Sequence, residues 1–141
     1  KTTNEHFQKI FSALYTKGTA ELQLENPSQP FAGGVDIRVK LSGRRFLDIK
    51  SLSGGEKTLT ALAFIFSIQE HQPASFYILD EIDAALDKQN SEKLSKLITS
   101  YADRAQYIAV SHNDSVIGEA DTLYGVAMDE RGVSKVTSLR L

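Results

Sequence analysis

The chain has 141 residues and a formal net charge of −2, with 16 lysines and arginines against 18 aspartates and glutamates. This composition excludes collagen-like, disordered and disulfide-rich classes of protein. The absence of cysteine also excludes thiolate zinc sites and cysteine nucleophiles. The longest uncharged run, around residues 58–69, is too short to span a bilayer, so we expect no membrane contact.

The first third of the chain predicts one helix followed by antiparallel strands. Apolar residues at i, i+3, i+4 and i+7 predict the helix, and Gly18 is placed to end it. These apolar residues are Phe7, Ile10, Phe11 and Leu14. Alternating apolar residues predict strands over 20–24 and 35–41, and a turn at Ser42-Gly43 leads into a third strand over 44–49.

The remaining sequence predicts an α/β arrangement. The run over 58–69 is apolar almost all round and predicts a buried helix, whereas 88–102 predicts an amphipathic helix. Short apolar runs predict strands over 75–79, 106–110, 123–128 and 133–141. Strands alternating with helices are typical of a parallel sheet flanked by helices.

A glycine pair precedes the helix over 58–69, in the loop Leu52-Ser53-Gly54-Gly55-Glu56-Lys57 (the LSGGEK loop). Without side chains at these glycines, an anion can approach the backbone N–H groups at the positive end of the helix. The Ser53 hydroxyl adds a donor. A simple loop with a helix cap is equally compatible with these six residues.

Polar residues follow two of the apolar runs. Asp80 and Glu81 follow the run over 76–79, which is the form of a Walker B motif. Asp80 is a candidate Mg²⁺ ligand, and Glu81 is a candidate base for activating water in attack on a γ-phosphate. Adjacent acids that merely open an exposed loop would give the same pattern.

His112 follows the run over 106–110 and could contact a γ-phosphate, although a lone strand-end histidine is more often structural. Between the two runs lies a short acidic segment, residues 83–87. Its last member, Asp87, is predicted to cap the helix that starts at Lys88.

Taken together, the motifs LSGGEK, FYILDEIDAALD and VSHN, in this order and spacing, resemble those of an ATP-binding-cassette ATPase. More narrowly, the chain is similar to the C-terminal half of an SMC (structural maintenance of chromosomes) head of prokaryotic type. The loop ENPSQPFAGGVDI and the ending LYGVAMDERGVSKVTSL share this resemblance, which therefore covers nearly the whole chain.

The phosphate-binding P-loop, GxxxxGK[ST], is missing, because none of the nine glycines is followed by lysine. In SMC proteins the P-loop belongs to an N-terminal lobe, separated in sequence by coiled-coil arms and a hinge. The resemblance implies that residues 1–16 are the end of the returning coiled coil and 17–141 the C-terminal lobe. It also implies that the chain is a fragment that is inactive alone.

The resemblance assigns a role to each motif. Asp80 would help hold Mg²⁺, Glu81 would be the catalytic base, and His112 would lie near the γ-phosphate of ATP. Ser53, Gly54 and Gly55, with Glu56 and Lys57 in the same loop, would cap the ATP of an opposite head. Asp87 would lie at the head–head contact, in the segment called the D-loop (residues 83–87).

The implied partners are the P-loop lobe, a second identical head, a kleisin subunit and DNA, and the implied location is the cytoplasmic nucleoid. Charge alone favours a solvated face over DNA contact, because acids dilute the basic residues of the predicted hairpin.

The alternative enzyme is a double-strand-break repair ATPase of RecN-like or repair-complex type. Ile82-Asp83 disfavours this alternative and likewise disfavours a transporter domain. The non-enzyme alternative is an interaction module without activity of its own.

Overall fold

The structure, a computed structural model, describes residues 2–43 and 45–140. The helices of this part are α1 (Thr2–Leu14), α2 (Gly54–His71), α3 (Lys88–Ala102) and α4 (Asp114–Ile117). The strands are β1 (Thr19–Leu24), β2 (Val35–Lys40), β3 (Leu47–Asp48), β4 (Phe76–Asp80), β5 (Gln106–Val110), β6 (Thr122–Met128) and β7 (Ser134–Arg140). None of the helices described combines the length and apolar character needed to span a membrane.

The predicted apolar face of α1 forms the centre of the main core. Its four apolar residues are buried and pack with Ala20 of β1, Val39 of β2 and Phe66 of α2. Ala20 and Val39 are direct partners in the antiparallel register of β1 and β2. The prediction of a helix followed by antiparallel strands is therefore confirmed.

The third predicted strand is shorter than expected. Arg44 lies outside the described residues, and only Leu47–Asp48 pairs with β2. The Asp48 carboxylate accepts a hydrogen bond from the Lys50 N–H at 2.7 Å and caps a 3-10 turn over Ile49–Ser51. This cap ends the strand, because a side chain that binds the backbone locally competes with strand pairing.

The prediction that the helix over 58–69 is buried all round is wrong for one face. Phe66 and Leu59 of α2 are fully buried, whereas Ile65 is 46% exposed and Ile68 is 42% exposed. α2 packs on α1 and α3, and Ile65 and Ile68 on its remaining side are left about half exposed.

The predicted parallel sheet is also smaller than expected. β4 and β5 pair in parallel, but β6 and β7 form a separate antiparallel hairpin. Asp129 explains the hairpin, because its carboxylate accepts hydrogen bonds from the Arg131 and Val133 N–H groups and closes a tight turn. Parallel strands would need a crossover of roughly a dozen residues or more at this point.

The two faces of the β4–β5 pair differ in burial. On the inner face, Tyr77 and Tyr107 are register partners and stack at 5.2 Å. Tyr107 also stacks on Phe66 of α2, at 6.0 Å. On the outer face, the paired residues Ile78 and Ile108 are 64% and 46% exposed. The described part of the chain thus covers only one side of this sheet.

Candidate functional site

Ser53 caps α2 through a reciprocal pair of hydrogen bonds with Glu56. The Ser53 Oγ accepts from the Glu56 N–H at 3.4 Å, and the Ser53 N–H donates to Glu56 Oε2 at 2.9 Å. The Ser53 hydroxyl also donates to this same Oε2, at 2.8 Å. Serine followed by glutamate three residues later has this capping geometry built into the sequence.

The two glycines of the LSGGEK loop have different surroundings. A Cβ on Gly55 would lie 3.3 Å from Asn90 Nδ2 and 3.5 Å from the Ala85 carbonyl oxygen, so the D-loop packs directly on this glycine. A Cβ on Gly54 would meet no atom within 4 Å. A side chain at 55 would therefore have to displace the Asn90 amide by a few tenths of an ångström, whereas position 54 is open to a group from outside.

The ends of β4 and β5 bring Asp80, Glu81 and His112 to one edge of the parallel pair. Asp80 is the register partner of Val110, and the Glu81 N–H donates to the Val110 carbonyl at 2.9 Å. All three side chains are exposed, and neither carboxylate takes part in an ion pair among the described residues. The Asp80 and Glu81 carboxylates are therefore available to a ligand from outside.

A partly buried network missed by the sequence analysis lies behind these exposed groups. The Asp83 carboxylate is buried and accepts a hydrogen bond from Ser111 Oγ at 2.6 Å. Ser111 Oγ accepts from the Asn113 N–H at 3.0 Å, and Asn113 Nδ2 donates to Ser91 Oγ at 2.9 Å. The network joins the D-loop, the end of β5 and α3, so it fixes the positions of Glu81 and His112 relative to each other.

Asp87 has the capping role predicted for it. Its carboxylate accepts a hydrogen bond from the Asn90 N–H at 2.9 Å, at the start of α3. The same Asn90 side chain lies against Gly55. The LSGGEK loop, the D-loop and the start of α3 are therefore one packed unit.

Tyr15 is a second residue that the sequence analysis missed. It packs against both apolar clusters of the core, and the Lys93 Nζ lies 4.8 Å from the centre of its ring. Its buried hydroxyl has no hydrogen-bond partner among the described residues. Burial, followed by the negative charges of Glu56 and Asp87, raises the pKa of Tyr15 to about 12.

Asp80 and the LSGGEK loop together offer the donors for part of a Mg²⁺ and nucleotide site, but not for a complete one. Within residues 2–43 and 45–140, no group of three histidines, aspartates or glutamates could enclose a metal ion. Mg²⁺ nevertheless binds through one or two carboxylates, several waters and substrate phosphates, so Asp80 alone meets the protein's share. The LSGGEK loop offers N–H and hydroxyl donors suited to phosphate.

A family model described as the RecF/RecN/SMC N terminal domain matches residues 1–135. The chain belongs to this family. Over 138 residues it is 46% identical to the chromosome partition protein Smc of Pyrococcus furiosus. This match covers 98% of this chain and 12% of that protein. The chain thus spans about an eighth of the length of this SMC relative.

Solved SMC heads have the same fold. A structure of the Smc head bound to the C-winged helix domain of ScpA superposes with a TM-score of 0.93 at 45% identity, over 99% of this chain and 43% of that one. A chain from a structural study of ATP-driven dimerization and DNA-stimulated activation of SMC ATPases superposes at 0.89 with 43% identity, over 98% of this chain and 83% of that one. The chain is therefore part of an SMC-type head.

Proposed function

We propose that this chain is the C-terminal lobe of a prokaryotic SMC head, which binds and hydrolyses ATP at composite sites between two heads. One observation carries this proposal. The chain presents a loop that is open at Gly54 and strand-end acids outside any ion pair among the described residues, yet its sequence has no P-loop to hold a nucleotide. Such a lobe is half of an ATP site.

In the proposed site each of these residues has a separate role. Asp80 would help hold Mg²⁺, which would supply positive charge to offset the negative charge of the ATP phosphates. Glu81 accepts a proton from the attacking water, and His112 lies beside the γ-phosphate. Ser53, Gly54 and Gly55 cap the γ-phosphate of ATP carried by the opposite head, with Glu56 and Lys57 in the first turn of α2. Asp87 lies at the contact between heads.

The exposed apolar residues support the proposal that a second lobe packs against this chain. The outer face of the β4–β5 pair presents Phe76, Ile78 and Ile108, and β6–β7 presents further exposed apolar residues. Contiguous apolar surface of this kind marks an interaction site. We propose that the P-loop lobe of the same head covers the outer face of β4–β5, and that residues 1–16 end the returning coiled coil.

The wider partners come from the relatives. An Smc head has been solved with ScpA bound, and SMC ATPases undergo ATP-driven dimerization and DNA-stimulated activation. We propose the same partners for this chain: a second identical head, a kleisin subunit of the ScpA type, and DNA. The cycle of pairing and release would then serve chromosome organisation, since ATP shifts the population toward paired heads.

The test of the proposed site is Ser53→Arg in a complete head that includes the P-loop lobe. The arginine would fill the space needed by the opposite head's γ-phosphate, so we expect ATP-dependent pairing to be lost while each head still binds ATP. Light scattering measures pairing, and a fluorescent nucleotide measures binding.

Ser51→Arg is the matched control, because Ser51 is exposed and lies two residues before the cap. It should leave pairing intact. Normal pairing of the Ser53→Arg head, or loss of nucleotide binding itself, would contradict the assignment of this loop to the opposite head's ATP.

A further inference from the structure

Glu56 occupies the donors that a phosphate would need. Its Oε2 accepts from the Ser53 N–H at 2.9 Å and from the Ser53 hydroxyl at 2.8 Å. A hydroxyl has one hydrogen to give, so Ser53 cannot donate to Glu56 and to a phosphate oxygen at the same time. The carboxylate is thus an internal anion at the positive end of α2.

The loop around Glu56 is otherwise ready for a ligand. Gly54 faces open space, and the first N–H groups of a helix have no partner within the helix. A phosphate that approaches this loop therefore meets two obstacles at one residue: the engaged Ser53 donors and the negative charge of Glu56.

We infer that Glu56 is a specificity-determining residue that competes with the terminal phosphate of the opposite head's nucleotide for Ser53. This inference rests on the proposed function and adds a regulation to it. Heads pair when the terminal phosphate displaces the Glu56 carboxylate from the Ser53 hydroxyl. An anion that binds Ser53 more weakly than the Glu56 carboxylate does would therefore not bring the heads together.

The test uses complete heads with the hydrolysis-resistant analogue ATPγS, and measures the nucleotide concentration at half-maximal pairing. Glu56→Gln removes the charge but retains the capping box, in which glutamine also serves. We expect this variant to lower the midpoint roughly two- to fivefold, the range for one charge at an exposed helix N-terminus. The unfolding temperature of the variant should fall only slightly, because the capping hydrogen bonds remain and only the charge is lost.

Two further variants keep the result interpretable. Glu56→Ala removes both charge and cap, so it should also lower the midpoint even if the unfolding temperature falls. Glu130→Gln makes the same chemical change in the exposed turn between β6 and β7 and should leave the midpoint unchanged.

An unchanged or raised midpoint for Glu56→Gln would overturn the competition. So would a lower midpoint for Gln but not for Ala, because the Gln amide would then be binding the phosphate itself. Ser53→Arg distinguishes failure of this inference from failure of the proposed function. If Ser53→Arg blocks pairing while Glu56→Gln has no effect, only this inference fails. If Ser53→Arg heads pair normally, the proposed function fails.

Discussion

Glu81 has an unusual backbone conformation. Among the described residues it is the one non-glycine residue with a positive φ, at 45°. This left-handed region costs about 1–2 kcal/mol for a residue with a side chain. Such strain concentrates at functional sites, which supports the proposed role of Glu81. Because glutamine has the same backbone requirements, Glu81→Gln changes the carboxylate and leaves the strain in place.

Two tyrosines offer a matched test of buried hydroxyl groups. Tyr15→Phe removes a hydroxyl that has no partner among the described residues, so we expect the free energy of unfolding to stay the same or rise by up to about 1 kcal/mol. Tyr107→Phe removes a donor to Gln69 Oε1 at 2.9 Å. Because Gln69 is buried, we expect that change to lower stability by about 1–3 kcal/mol.

Urea unfolding of the two variants measures the difference. If Tyr15→Phe is as destabilising as Tyr107→Phe, the Tyr15 hydroxyl has a partner that this structure does not show.

At the scale of elements, the stability of the β6–β7 turn should depend on pH. Hydrogen bonds from the Val133 and Arg131 N–H groups hold the pKa of Asp129 below its usual range, and Lys135 and Arg131 lie 3.5 and 3.6 Å from the carboxylate. A lowered pKa in the folded state means that this stabilisation is present above the ordinary aspartate pKa. It is lost as the pH falls through the lowered pKa.

Hydrogen exchange of the Val133 amide is the measurement for this turn. We expect its protection to fall on acidification and in Asp129→Ala at neutral pH. Asp121→Ala is the control, because Asp121 is exposed just before β6. Equal protection in the two variants would contradict the role of Asp129.

Local spacing predicts elements well and predicts their partners poorly. The four apolar residues of α1 and the bounds of α3 and β5 follow from the sequence, because each depends on near neighbours. The pairing of β6 with β7 and the exposed side of α2 do not, since they depend on what packs against them.

The candidate site divides in the same way. The meeting of Asp80 with the end of β5 follows from two short apolar runs that pair in parallel. The bond between Ser111 and Asp83 joins residues 28 positions apart, and no periodic pattern marks it. The catalytic and binding roles of Asp80, Glu81 and His112 stay predictions.

For the whole molecule, the central expectation is that activity requires assembly. We expect no ATP hydrolysis by this chain alone, because it has no P-loop. Mixing it with a matching P-loop lobe should restore hydrolysis, with a rate that rises more than linearly with protein concentration because two heads must meet. A coupled phosphate-release assay across a concentration series measures this.

Glu81→Gln is the control in that mixture and should slow hydrolysis while ATP-dependent pairing persists. Full activity of the unmixed chain would show that the nucleotide site has been misplaced. Unchanged turnover by Glu81→Gln would remove Glu81 as the base.

The contact between Gly55 and the D-loop has a consequence for the timing of the two ATP sites in a head pair. In the proposed arrangement the LSGGEK loop contacts the opposite head's nucleotide, whereas Asp80 and Glu81 act on the nucleotide of their own head. Ala85 and Asn90 lie close against Gly55, and Asp83 accepts a hydrogen bond from Ser111 at the end of β5. A displacement at one nucleotide should therefore reach the other through a single stiff segment. We expect the two sites to hydrolyse ATP together rather than in turn.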